Sequence, residues 1–267
     1  MREDDILLGQ IEDKIAQCEN KYIVTHTGFL DSHQQSVARI FCGKNHIEIF
    51  DAEAESTAVD AGRLPACRTR FYGGYDEAER VILVNLPDYA FLKDENLLTV
   101  IRATVASGGR PLTHRDYLGS LVGLGIKRDL LGDILVRPDG ADIIVLADIA
   151  DFLLTHYCKA GRMPLSLEQV PISALMIPEP ERKTVTDTVA SLRLDSVVAS
   201  AFGLPRSKAA DAIKSGVVFV NHVEASKADR MISEGDQITL RGRGKARLIQ
   251  VGGRSRKDRV YITIERY

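Results

Sequence analysis

Leu8, Ile11, Ile15 and Cys18 recur at three- and four-residue steps, which predicts a helix over 4–19 with one apolar face. Asp4 and Asp5 suit its start electrostatically. "DSHQQSVARIFCG" predicts a second helix, capped by Asp31, turned inward at Val37 and Ile40 or Phe41, and ended by Gly43. A strand near Ile47–Phe50 is expected next. The continuous apolar run "VILVNL" (81–86) reads as a buried strand, and the β-branched "LLTVIRATVA" (97–106) as another. In "THRDYLGSLVGLG", Thr113 and Asp116 form a capping pair and Leu118, Leu121 and Val122 the inner face. "DILVRPDGADIIVL" predicts a hairpin turning at Pro138-Asp139-Gly140. "DIADFLLTHYCKAG" predicts a helix with Ile149, Phe152 and Leu153 inward, and "LSLEQV" (165–170) a last strand.

From residue 97 the order is strand, helix, strand, strand, helix, strand, the split βαβ pattern of ferredoxin-like and RNA-recognition domains. Pro178 and Pro180 within "MIPEPERKT" mark a linker or domain edge. Beyond it, Leu194, Val197, Val198 and Ala201 make the buried stripe of a short helix. Gly203-Leu204-Pro205 breaks the chain, and Ser207 is placed to cap a second helix with Ala209, Ala210 and Ile213 inward. Gly216 fits the left-handed position after that helix. The strand "VVFV" and a turn at Asn221-His222 follow. The reading is α+β in three parts: an α-rich region over 1–70, a ferredoxin/RRM-like domain over 71–175 and a small domain over 183–267.

Composition adds an asymmetry. The chain of 267 residues has a net charge of −2. Residues 183–267 carry 16 Lys and Arg against 9 Asp and Glu, a net +7; the preceding residues carry 19 against 28, a net −9. A basic domain on an acidic body implies a polyanionic partner, and charge alone does not separate RNA from DNA or an acidic protein. No window approaches the ~20 apolar residues of a membrane helix. The N-terminus "MREDDILLGQ" is acidic where a signal peptide is basic, so a cytoplasmic protein without a membrane partner is expected. The four cysteines are widely spaced, which favours free thiols. The six histidines show no ligand spacing, and neither metal nor cofactor is expected.

The basic residues of the last domain are arranged for phosphate. Arg206 and Lys208 flank a helix N-terminus, where unpaired amides and a partial positive charge favour anions. Lys214 extends the positive surface along that helix, and Arg241, Arg243, Lys245 and Arg247 alternate with small residues in a glycine-spaced basic loop. "GGRSRKDR" (252–259) reads as a basic hairpin loop.

"RLD", "GLPRSKA" and "EGDQITLRGRG" resemble, in order, the RNA-binding domain called S-four (S4, or alpha-L) over roughly 190–245. The resemblance implies RNA contact by Arg193, Arg206, Ser207, Lys208 and Lys214, helped by the Arg241–Lys245 loop, with Asp195 and Asp236 holding the local fold. Upstream, "FYGGYDEAER", "PLTHRDYLGSLVGLGIKRDLLGDILV" and "DFLLTHYCKAGR" resemble the YlmH-type proteins of bacteria, so the resemblance covers about 71–267. It implies an accessory, non-catalytic RNA-binding protein that contacts ribosomal RNA, transfer RNA or both on the large ribosomal subunit, in quality control of subunits blocked by peptidyl-tRNA. The oligomeric state is not legible.

Other motifs are weighed against plain structural roles. "HRDYLGSL" has Leu121 where a kinase catalytic loop needs Asn, and it lacks the accompanying phosphate loop. Its plain reading is a capped helix start; alternatively His114 and Arg115, with Lys127 and Arg128, form a second RNA surface. S-four domains also accompany pseudouridine synthases, methyltransferases and synthetases. Against these, the sole Arg-Leu-Asp (193–195) lies in the S-four helix, and "VASGGRPLTHRD" lacks a G-x-G loop. "DILV" and "DIIVL" carry no aromatics, so base stacking on the middle sheet is not expected.

Overall fold

The computed structural model describes residues 3–51, 65–105, 111–178 and 182–267. The chain divides into two compact units, Met1–Pro178 and Glu179–Tyr267.

The first unit opens with α1 (Glu3–Lys21), whose buried side chains are Leu7, Ile11, Ile15 and Cys18. Leu7, rather than Leu8, completes the stripe because it lies one i, i+4 step before Ile11. β1 (Thr25–His26) precedes α2 (Ser32–Lys44). A reciprocal capping box of Asp31 and Gln34 starts α2. Val37 and Phe41 pack against the core, but Ile40 is exposed, and the helix runs past Gly43 to Lys44. Of the strand expected at 47–50, only a bridge from Ile49 to Thr69 forms. β2 (Cys67–Tyr72) and β3 (Ile82–Pro87) pair antiparallel, and β3 lies centrally between β1 and β2. All of β3 is buried, which is why it reads as an unbroken apolar run while its polar-patterned neighbours escape notice.

The middle of this unit contains β4 (Leu98–Val105), α3 (His114–Gly123), β5 (Leu131–Arg137), β6 (Gly140–Leu146), α4 (Ala150–His156), β7 (Lys159–Ala160) and β8 (Met163–Val170). Its sheet has the order β5-β6-β4-β8-β7 with every pair antiparallel. One face packs Ile101, Ala103, Ile143 and Val145 against Tyr117, Leu121 and Leu153 of the two helices. Val122 and Phe152, expected inside, are exposed. The other face packs Leu98, Ile144 and Leu146 against Phe29, Ile82, Val84 and Leu86. β6 is therefore buried along its whole length, and the sheet face that an RNA-recognition domain leaves open for stacking is covered here by the N-terminal elements.

Gly140 shows how tightly β4 and β6 meet. A Cβ built there would lie 1.9 Å from the Ala103 carbonyl oxygen of β4. Gly140→Ala is expected to destabilise the unit by about 3 kcal/mol, the upper end of overpacking costs, because backbone rather than a side chain must move. Thermal unfolding monitored on this unit checks it; an unchanged midpoint contradicts the close approach.

Cys18 and Cys42 are buried, Cys67 half-buried and Cys158 exposed, and all four are free. Burial pushes the Cys42 thiol up to about 11, so it packs as a neutral side chain. The described residues include no helix long and apolar enough to cross a membrane.

The second unit is a six-stranded sheet with two helices. β9 (Lys183–Val189) precedes α5 (Leu194–Phe202) and α6 (Arg206–Lys214). β10 (Val218–Val220), β11 (Val223–Glu224), β12 (Gln237–Leu240), β13 (Gly244–Arg254) and β14 (Val260–Arg266) follow, in the antiparallel order β11-β10-β12-β13-β14-β9. β9 begins within the stretch read as a linker and pairs with β14 along its whole length. Its alternating polar residues are those of an exposed edge strand. Leu194, Val197, Val198 and Ala201 of α5 meet Ala209 and Ile213 of α6 over Val218, Val220, Ile238, Leu248 and Ile262 of the sheet. Asn221 and His222 both take positive φ, 51° and 65°, the geometry of a two-residue hairpin turn.

Candidate nucleic-acid interface

α5 ends at Gly203, whose φ of +62° is left-handed, and Leu204-Pro205 turns the chain directly into α6. This short connection starts α6 just after the last turn of α5, from where the Arg206 side chain reaches back to Asp195 in the first turn of α5. There Asp195, 5% exposed, takes two of the cations that the sequence singled out. Arg193 donates from Nε and Nη2 to its two oxygens at 3.2 and 3.0 Å. Arg206 donates from Nη2 to the same oxygens at 3.2 and 3.1 Å. The arginine side chains remain 38% and 52% exposed. A guanidinium has five donors, so each presents further N–H groups to solvent after serving the carboxylate. The pair is held at its base and open at its face.

Burial pushes the Asp195 carboxyl up, but the hydrogen bonds from Arg193 and Arg206 outweigh it and hold the carboxyl below its ordinary value. A depressed carboxylate stabilises the folded state above the unfolded pKa near ~3.9 and loses that contribution as pH falls through the lower folded value. The second unit is therefore expected to lose stability below about pH 4, and Asp195→Asn to flatten that loss; denaturant unfolding across pH 2–7 reads it.

The two helix N-termini differ. At α5, Leu194 and Asp195 donate their amides to the Arg230 and Ala228 carbonyls at 2.8 and 3.0 Å. That start is closed by the 228–230 loop, which sets exposed Lys227 and Arg230 at its border. α6 has Pro205 at its N-cap and no side-chain cap, so its first amides point out of the helix end. Ser207, expected as the cap, lies inside the first turn, because the Pro205 carbonyl already accepts from Ala209 at 3.0 Å. Ser207 and Lys208 are exposed there, and Lys208 approaches Asp211 at 3.9 Å. Lys214, also exposed, is the last residue of α6, about 12 Å along the axis.

The glycine-spaced basic loop does not join this cluster as expected. Arg241 lies over the Phe219 ring at 5.5 Å. Val218 and Val220 face the helices, so Phe219 and the arginine above it belong to the opposite sheet face. Arg243 is exposed in the turn before β13. Lys245 is 9% exposed inside β13, where its backbone exchanges hydrogen bonds with Tyr267 at 2.8 and 2.9 Å. The loop is shorter than its spacing implied, and Lys245 leaves the candidate surface because it is a buried residue of β13. Asp236 has the structural role read from sequence, accepting from Asn221 at 2.7 Å and from the Ser233 amide at 2.8 Å.

In the first unit, His114 and Arg115 open α3 and are exposed, as are Lys127 and Arg128 beyond its other end. The ten-residue helix separates the two pairs by about 15 Å. Asp116 accepts from the Thr113 amide and hydroxyl, both at 2.8 Å, so the His-Arg-Asp run is a capped helix start. Gly108 and Gly109 of "VASGGRPLTHRD" lie outside the described residues. Sequence reading missed Lys227 and Arg230. Their signal is weak, two cations in an irregular "SKADR" loop, and only its backbone bonds to α5 reveal its place.

Two helices joined by a tight turn, with an arginine from the start of each meeting at one carboxylate and both packed on an antiparallel sheet, define an S4-type RNA-binding domain. A family model described as "S4 domain" matches residues 192–238, and one described as "Putative RNA-binding domain in YlmH" matches 98–174. A curated relative, "Ribosome-associated protein quality control protein P2" of Bacillus subtilis (strain 168), is 32% identical over 249 residues, covering 93% of this chain and 89% of the relative. The solved structure of "Cell division protein ylmH from Streptococcus pneumoniae" is 26% identical, covers 67% of this chain and 96% of that one, and has a TM-score of 0.45. The chain belongs to the YlmH family of RNA-binding proteins, with a C-terminal S4 domain.

Proposed function

We propose that this protein is a non-catalytic factor that seats structured ribosomal or transfer RNA on its S4 domain and acts in quality control on the large ribosomal subunit. The observation that carries the reading is the convergence of Arg193 and Arg206 on Asp195 beside the uncapped start of α6. Fixed guanidiniums, outward amides and Lys208 together match a folded phosphate backbone. Lys227 and Arg230 widen that surface, and Lys214 lies at its margin, at the end of α6. The ribosomal setting is supported by the name of the Bacillus relative. We read three functional parts: residues 1–70, a ferredoxin-like module over 71–175 and the RNA-binding domain over 183–267; the five-stranded sheet that starts at β4 supports the ferredoxin-like reading, whereas β2 and β3 join β1 in a sheet of their own. His114, Arg115, Lys127 and Arg128 then serve as two separate contact points rather than one surface.

Co-sedimentation with ribosomal subunits tests the setting. The full chain is expected to travel with large subunits, and removal of residues 183–267 to release it. Association that survives this removal, or that resists nuclease digestion of the RNA, contradicts the proposal. A nucleotide of ribosomal RNA whose mass changes when the protein is absent points instead to an RNA-modifying enzyme.

A further inference from the structure

β9 precedes the matched S4 segment and Arg259 follows it, and between them they close a recess against α5. The recess holds about 260 Å³, and its lining includes Asp187, Ser196, Ser200, Leu204, Arg206 and Arg259. Pockets for drug-sized ligands hold ~300–1,000 Å³, so this one is sized for a single ring system.

Its chemistry has two ends. Arg206 gives only Nη2 to Asp195. Arg259 gives Nε to the Thr188 hydroxyl at 3.0 Å and Nη2 to the Thr188 carbonyl. Each guanidinium keeps further donors for an anion. Asp187 accepts the Ser200 hydroxyl at 2.7 Å through one oxygen and the Thr188 amide at 2.7 Å through the other. A carboxylate offers about four lone-pair sites, so roughly two remain for other N–H donors. A bare anion would meet the arginines and be repelled by Asp187. A ligand with phosphate at one end and amino donors at the other satisfies both, and Leu204 offers an apolar wall for a ring.

We propose that this recess takes one unpaired nucleotide whose base carries an amino group, with its phosphate on Arg206 and Arg259 and the amino group on Asp187. The proposal rests on the RNA-binding reading above. Arg206 belongs to both surfaces, so a nucleotide turned out of a bound RNA enters beside the start of α6. The same chemistry fits a free mononucleotide, and the experiment separates the two sources.

The full chain is titrated with three RNA hairpins: fully paired, with one bulged adenosine, and with one bulged uridine. Adenosine monophosphate alone is titrated in parallel. The bulged adenosine is expected to bind about tenfold tighter than the other two, the size of one hydrogen bond to a charged group. Ser200→Leu, which fills the recess and leaves Arg193 and Arg206 in place, is expected to abolish that advantage and keep paired-hairpin affinity. Asp187→Asn keeps the shape, turns one acceptor into a donor, and is expected to lower the adenosine-to-uridine ratio. Saturable binding of adenosine monophosphate that Ser200→Leu removes, with the three hairpins alike, assigns the recess to a free nucleotide. Equal binding of all hairpins with no mononucleotide binding overturns the proposal and leaves the RNA-binding reading intact. An equal advantage for adenosine and uridine also overturns it, because uridine carries no amino group. Failure of the paired hairpin to bind wild-type protein overturns the underlying reading instead.

Discussion

Replacing Arg193 and Arg206 together by glutamine is expected to weaken binding of a structured RNA by about 100-fold at fixed salt, roughly tenfold for each charge-assisted hydrogen bond removed. The two positions act together because both guanidiniums stand on Asp195. Their removal also leaves that buried carboxylate without either arginine, which adds repulsion to the missing attraction and strains the fold. A triple variant that also carries Asp195→Asn separates these effects. It is expected to recover stability without recovering RNA affinity. If the triple variant binds RNA like wild type, the arginines serve only to hold α5 and α6 together. Binding measured by fluorescence anisotropy, beside unfolding of the same proteins, distinguishes the cases.

A second large effect, on stability, is expected in the first unit. Asp142 is fully buried on β6, directly opposite Arg102 of β4 in the ladder. Arg102 donates to it from Nε and Nη2 at 3.0 and 2.8 Å, Arg137 approaches at 3.5 Å, and the Met176 amide donates at 3.0 Å. Burial raises the Asp142 carboxyl, and the Arg102 and Met176 bonds more than reverse that, holding it below the ordinary value. Asp142→Ala removes the carboxylate that pairs with Arg102 and leaves the Met176 amide unserved. Arg137, 8% exposed at its side chain, then keeps its longer approach to Asp139 at 3.5 Å. The cost is expected to be about 3 kcal/mol, the lower end for breaking a buried ion pair, because Arg102 retains the Ala174 carbonyl at 2.7 Å. Asp142→Asn, which retains shape and one acceptor, is expected to cost less. Urea unfolding of the full chain gives both values, and equal stability of wild type and Asp142→Ala contradicts the network's role.

The same pair shows what the sequence could disclose. Asp142 interrupts an apolar run and reads as an obstacle to membrane insertion; its partner becomes visible only when register sets residue 102 opposite residue 142. Local signals are legible wherever one chemical reason suffices. Asp31 and Thr113 start helices, Asn221-His222 turns a hairpin, and the Leu194–Ala201 stripe packs inward. Signals fail where a partner distant in sequence decides the outcome. β9 is an edge strand with polar alternation and needs β14 to exist. Val122 and Phe152 fit an inner face by spacing alone, yet their helices bury other residues. The apolar continuity of β6 has a meaning that the pattern could not specify, namely that the N-terminal elements cover its second face.

The candidate surface divides along the same line. Arg206, Ser207 and Lys208 open one helix and Arg193 the helix just before it, so local sequence locates all four. Arg241 and Lys245 look equivalent by charge and glycine spacing. An aromatic ring on the other sheet face claims the first, and the second is buried within β13. Lys227 and Arg230 enter by backbone bonds that no local pattern encodes.

The central claim is that folded RNA is held by phosphate neutralisation at the Arg193–Arg206 surface. The direct measurement is affinity of the full chain for one structured RNA as salt is varied, for wild type and the triple variant. Wild-type log K is expected to fall linearly with log salt, and the variant's slope to be shallower by about 1.4–1.8, from ~0.7–0.9 for each of the two phosphates no longer neutralised. Identical slopes for the two proteins, or a wild-type affinity indifferent to salt, would contradict the account.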